Sequence, residues 1–236
     1  MRVLRNIASV YLQADLRTLG VFRFFLGLIC LIDVARRLKY IDIFYSKDGL
    51  APNQFMSELF GHYSIKAFTL LSSFNTQTEV SLFFYITMLF AFFLMIGYRT
   101  KLSHIVTLIG VLSIHNRVIM LENGGDLVLN NFLIWSCFLP LGRRFSLDRL
   151  LHSLREVKDS TPDSLNSRSV SLKGESESYW GLAYFACLLQ LSIIYLFNYF
   201  NKDGSTWEDG ISVYYFYQLD TFLTPLGNFI KQMGLM

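Results

Sequence analysis

Tyr195, Asn198 and Lys202 are spaced by three and four residues, so they fall on one stripe of a helix. They close an uncharged run, residues 179–200, and a turn-rich segment carrying Trp207 follows. Two readings fit Lys202. As an anchor, it runs its amine out toward lipid headgroups. As a base, it sits in a low-dielectric pocket that disfavours the charged form, and the neutral amine accepts a proton from an acidic hydroxyl. In that second reading the Asn198 amide bonds the amine and Tyr195 orients either group. Gln190 lies further down the same helix, somewhat off the stripe.

A second group opens the segment "HNRVIMLENGGD". There His115, Asn116, Arg117 and Asp126 gather imidazole, amide, guanidinium and carboxylate at one end of an apolar stretch. Such a set suits a polar headgroup, a quinone oxygen or an anion; equally, His115 is a hydrogen-bonded structural histidine. Asn123, Gly124 and Gly125 read as a tight turn, with Asp126 as the N-cap of the next helix. His104 precedes His115 by about three turns, which puts the two rings on nearly one face, about 16 Å apart. That is too far for a shared metal, and no metal site is expected. Cys30, Cys137 and Cys187 all lie in apolar runs without zinc-site spacing and read as packing residues.

The elements that carry these groups belong in a membrane. Of 236 residues, 53% are hydrophobic and only 17% charged, against about 25% charged in soluble domains. Mean hydropathy is +0.38. The net charge of +3 is too small to argue for nucleic acid. Five apolar spans stand out, at residues 19–34, 80–97, 102–120, 127–141 and 179–200. A crossing helix needs about 17–25 residues, so the first and fourth require their flanks. The predicted fold is all-α: a polytopic membrane bundle of about five helices with interfacial helices. Residues 1–141 form a four-helix bundle that includes an interfacial segment at 39–79. Residues 142–177 form a flexible Ser-rich cytoplasmic loop. Residues 178–236 supply the fifth helix, the lysine and tryptophan motif, and an aromatic segment broken at Pro225 that leads into an uncompleted helix. The basic N-terminus has no small-residue cleavage site, so the first helix is expected to be retained.

Two polar side chains interrupt the first span. Arg23 reads as a snorkelling cation near the boundary. Asp33 stands four residues before Arg37, the favourable order for an ion pair on a helix. Loop charges give the orientation. Arg2, Arg5 and Arg17, then Arg99 and Lys101, then the basic residues from Arg143 to Lys173 all fall on one side of a five-span bundle. That side is cytoplasmic, as is the N-terminus, and the Lys202 motif faces outward. Arg36, Arg37 and Lys39 break the rule; they are expected either to pair with acids or to line a cavity.

Read together, "SIHNRVIMLENGGDLVLNNFLIWSCFLPLGRRFSLD", "LLQLSIIYLFNYFNKDGSTWEDGISVYYF" and the earlier "RFFLGLICLIDVARRLKYIDIFYSKDGLAP" resemble the HTTM family. These membrane proteins are related to vitamin K-dependent gamma-carboxylase, and the resemblance covers nearly the whole chain. It implies a lysine base that deprotonates a reduced naphthoquinone; oxygen addition then yields a strong base that removes a glutamyl proton before carboxylation. Matching Trp207 to the carboxylase tryptophan places Lys202 at that lysine. The catalytic set is then Lys202, Asn198 and Tyr195, and the quinol pocket His115, Asn116, Asp126, Gln190 and Trp207. The chain departs from the family at residues 123–126, which lack the carboxylase's Asn-Asn-His, and in lacking its large lumenal region. The resemblance implies a quinol-dependent carboxylase or epoxidase in the bacterial inner membrane. The alternative is a non-catalytic maturation or scaffold subunit that binds lipid, or a membrane or secreted protein partner.

Overall fold

The computed structural model describes residues 10–46, 49–50, 52, 58, 68–74, 76–158, 178–218, 227–229 and 233. The break expected at Pro225 and loop residues 159–177 lie outside them. Two compact units divide the chain, Met1–Leu188 and Leu189–Met236.

In the first unit, strand β1 (Gln13–Asp15) pairs antiparallel with β2 (Ser178–Trp180), Ala14 opposite Tyr179. This short ladder is a departure from the all-α expectation. Three residues per strand are too few to show a period in sequence. Helix α1 (Leu16–Arg37) follows at once, its first turn capped by Asp15, which accepts from the Arg17 N–H at 2.6 Å. It runs on through a tight turn, Leu38–Tyr40, and a wide one, Ile41–Tyr45.

Helix α2 (Gln77–Ile96) starts with a reciprocal Thr76 and Glu79 capping box and stops at Gly97, whose φ of 74° is the left-handed conformation that favours glycine. Helix α3 (Thr100–Arg117) is capped from a distance. The Asp148 carboxylate accepts from the Arg99 and Thr100 N–H groups, at 2.7 and 2.8 Å. Helix α4 (Gly124–Ser136) opens with a second box, in which Asn123 is the cap and Asp126 answers its N–H at 3.1 Å. Asp126 is therefore not the N-cap itself. The cap falls three residues earlier, because either Asn or Asp can fill it and Asn123 has the extended backbone required.

Helix α1 packs on α2, α2 on α3, and α3 on α4, around a core that includes Leu26, Cys30, Val34, Phe84, Ala91, Ile114 and Leu133. Gly27 permits the closest approach: a Cβ there would meet the Met95 backbone nitrogen at 2.6 Å. Helix α5 (Leu147–Lys158) occupies sequence expected to be flexible loop. Leu147, Leu150, Leu151 and Leu154 recur at helical spacing against Arg149, Arg155 and Lys158, the pattern of a surface-lying amphipathic helix.

Helix α6 (Leu182–Phe200) straddles the two units. After it the second unit has a short turn of helix, α7 (Ser205–Glu208), and α8 (Ser212–Gln218).

The chain is mostly helical, and among the described residues three helical stretches are long and apolar enough to cross a membrane: Leu16–Tyr45, Gln77–Ile96 and Leu182–Phe200. The other two expected spans form helices but do not meet that standard. Helix α3 buries mainly polar side chains, and α4 has 13 residues, about 20 Å of rise against a hydrocarbon core of about 30 Å.

Candidate functional site

Arg23 shows how polar groups are handled in this fold. It does not snorkel. Its guanidinium is 1% exposed and donates to the Leu94 and Met95 carbonyls, at 2.6 and 2.7 Å, and to the Phe145 carbonyl at 2.7 Å. The last carbonyls of α2 lack their i+4 partners and carry the negative end of its dipole, and a fixed cation answers both. His104 is likewise structural, its Nε2 donating to the Leu133 carbonyl at 3.0 Å and tying α3 to α4.

The other polar cluster borders an open space. A cavity of about 660 Å³ lies against α1, the wide turn after it, and the start of α4. Its walls include Ile29, Ile32, Phe44, Leu121 and Leu129, and its polar lining includes Asp33, Arg37, Tyr45 and Asp126. Ile29 and Ile32 are each about half exposed on the outer face of α1, so the cavity reaches that apolar face. Arg36 and Lys39 stand at the rim, Lys39 over the Tyr40 ring at 4.6 Å. Both alternatives for the three misplaced cations are thus realised: Arg37 pairs with acids, and Arg36 and Lys39 line a cavity.

Arg37 joins two helices. Its Nε donates to both Asp33 oxygens at 3.2 Å, and its Nη2 to Asp126 Oδ2 at 2.8 Å. The pairing foreseen from the i, i+4 spacing is present, but the carboxylate that ties it across helices is 89 residues away. His115 stands behind Asp33, wholly buried, with Nε2 at 2.8 Å from Asp33 Oδ2 and Nδ1 at 2.9 Å from Asn130 Oδ1. The Asn130 amide nitrogen reaches Glu122 at 3.5 Å. Partial burial pushes the Glu122 carboxyl above its usual range. Donor atoms of Asp33, His115 and Asp126 lie within 4.8 Å of one another, a spacing a metal can bridge. The Arg37 guanidinium bonds both carboxylates there and already supplies positive charge, so the three form an ion-pair cluster.

Of the residues expected to line a quinol pocket, the first unit brings His115 and Asp126 together through Asp33 and Arg37. Asn116 turns away and donates to the Phe68 carbonyl at 2.9 Å. Asp33, Tyr45 and Asn130 were not singled out as site residues from sequence. An acid inside an apolar span and amides in "LVLNNFL" were the available signals.

The remaining site residues lie in the second unit. Tyr195 and Asn198 are exposed along α6, and Gln190 is half-buried. The turn after α6 folds Trp207 back so that its ring lies 5.0 Å from the Lys202 amine, a cation–π contact worth about 0.5–1 kcal/mol when exposed. Among the described residues neither Asn198 nor Tyr195 bonds that amine. Comparison with known protein families, curated proteins and solved structures returns no match.

Proposed function

We propose that the chain is a multi-pass protein of the bacterial inner membrane, built like the HTTM proteins, and that it binds a reduced naphthoquinone as a quinol-dependent carboxylase or epoxidase-like enzyme. The cavity beside α1 carries this reading. Its volume falls within the usual range of ligand pockets, about 300–1,000 Å³, and its mostly apolar walls with a few convergent polar groups are what such sites need. The exposed Ile29 and Ile32 give a lipophile a way in from the side. Lys202 is the base of this scheme. The indole of Trp207 covers one side of the amine, and the bilayer would complete its desolvation, which the described residues by themselves do not.

Turnover in membranes tests the proposal. Parent and Lys202→Ala protein are given a chemically reduced naphthoquinone, oxygen and labelled bicarbonate, and both epoxide and carboxylate label are followed. Epoxide from the parent that disappears in the folded variant supports the base. No epoxide from a folded parent that binds the quinol sinks the enzymatic reading. One observation favours the alternative, a scaffold for a membrane or secreted protein partner. Cys187 is the one buried residue of α6, and Tyr195 through Phe200 are exposed on every side. A scaffold would leave that helix for a partner, and a partner crosslinked to α6 in the absence of turnover would establish it.

A further inference from the structure

Hydrogen counting at His115 leads beyond ligand binding. Both ring nitrogens face oxygens, Asp33 Oδ2 on one side and Asn130 Oδ1 on the other. On its far side the Asn130 amide nitrogen reaches Glu122 at 3.5 Å. A ring nitrogen 2.9 Å from an amide oxygen must carry a hydrogen, and the Nε2 to Oδ2 contact needs a second, held by one partner or the other. The Asp33 and His115 pair therefore stores a proton at the cavity wall.

Charged and titratable groups surround the pair. From α1 come Asp33 and Arg37, with the Cys30 thiol, and the Tyr45 phenol follows in the wide turn. From α4 and the loop before it come Asp126 and Glu122, and Arg36 and Lys39 stand at the cavity rim.

A second observation points outward from the pair. Tyr45 lines the cavity, and its hydroxyl is buried beside the Arg37 guanidinium and makes no hydrogen bond of good geometry among the described residues. With a cation facing its oxygen, its hydrogen is the part left to give.

We propose that Asp33 and His115 form the proton donor of the cavity and that, with the Tyr45 hydroxyl, they receive a carbonyl or phenolate oxygen of a lipophilic ligand. The proposal rests on the cavity being a ligand site. Asp33 touches the ligand, and His115 acts through it as a positioning residue. As an O–H bond forms at the ligand, the one proton of the pair passes from Nε2 through Asp33 to the ligand oxygen, and Asp33 is left as a carboxylate. The electron pair of the broken N–H bond stays on the ring, which becomes neutral and keeps its Nδ1 hydrogen on Asn130. No electron enters or leaves, and the reverse run takes a proton from a ligand hydroxyl.

The test uses the full chain in lipid nanodiscs with isotope-labelled histidine, and menadione as the probe. The unliganded parent is expected to show a hydrogen on His115 Nδ1, as the contact with the Asn130 oxygen requires. Menadione binding is expected to weaken about tenfold in Asp33→Asn and in Tyr45→Phe, the scale of one lost strong hydrogen bond. In the parent, binding weakens as pH rises and the pair loses its proton; in His115→Gln that dependence is gone. A His115 Nδ1 without a hydrogen in the parent overturns the pair whatever binds, and needs no variant to fold. An unchanged pH profile in folded His115→Gln overturns it too. No binding at any pH sinks instead the cavity as a quinone site.

Discussion

Replacing Arg23 with Ala is the sharpest check on how this fold treats charge. The guanidinium holds three carbonyls. Leu94 would keep a second donor, the Gly97 N–H at 3.1 Å, whereas the carbonyls of Met95 and Phe145 would lose theirs. Leaving a buried acceptor unpaired costs about 1–3 kcal/mol, so two come to about 2–6 kcal/mol. Phe145 is 66% exposed, and water reaching its carbonyl moves the expected loss to about 2–4 kcal/mol. For a chain of this length each kcal/mol shifts Tm by about 2–4 °C, which gives a drop of about 5–15 °C. Arg23→Lys keeps the charge but not the planar fork, and should recover only part of the loss. The assay is thermal unfolding of purified protein in one detergent, read by intrinsic tryptophan fluorescence. A snorkelling surface cation would cost no more than about 0.5 kcal/mol. A Tm for Arg23→Ala within about 2 °C of the parent would therefore refute the cap.

Two further perturbations address packing and pH. Gly27→Ala should lower stability by about 1–3 kcal/mol by overpacking. Its Cβ meets Met95 backbone, which cannot turn aside, whereas Gly124→Ala projects into open space and serves as the control; the same unfolding assay compares them. Glu122 has a folded-state value raised by burial. The stability it contributes is therefore present at low pH and lost as pH rises through that raised value. Glu122→Gln, which cannot ionise, should match the parent in acid and exceed it near neutral pH; a constant gap across the range would contradict this.

The apolar runs and the caps were legible in the sequence because each is local. A charge-free stretch announces α2 and α6, and "NGGD" announces the start of α4 within a residue or two. The α5 stripe is legible too, since Leu147, Leu150, Leu151 and Leu154 have helical spacing, although the Ser-rich residues after it carry the composition of a loop. What sequence could not supply was partnership at long range. Asp33 and Arg37 reveal their i, i+4 pairing by spacing alone, yet neither Asp126 nor His115 is identifiable as the other half of that network until α1, α3 and α4 are packed. Arg23 misled for the same reason, because its acceptors lie 71 to 122 residues away. Conversely the Tyr195, Asn198 and Lys202 stripe, evident in sequence, carries no bond among its own side chains among the described residues, and the Lys202 neighbour is Trp207.

The central claim is that the cavity beside α1 takes a lipophilic ring ligand. A photoreactive naphthoquinone added to the full chain in nanodiscs, with the labelled peptides mapped by mass spectrometry, tests it most directly. Labels on Ile29, Ile32, Phe44 or Leu129, removed by excess unlabelled menadione, are the expected result. Labels spread along the exposed faces of α2 and α6 and insensitive to competitor would contradict it.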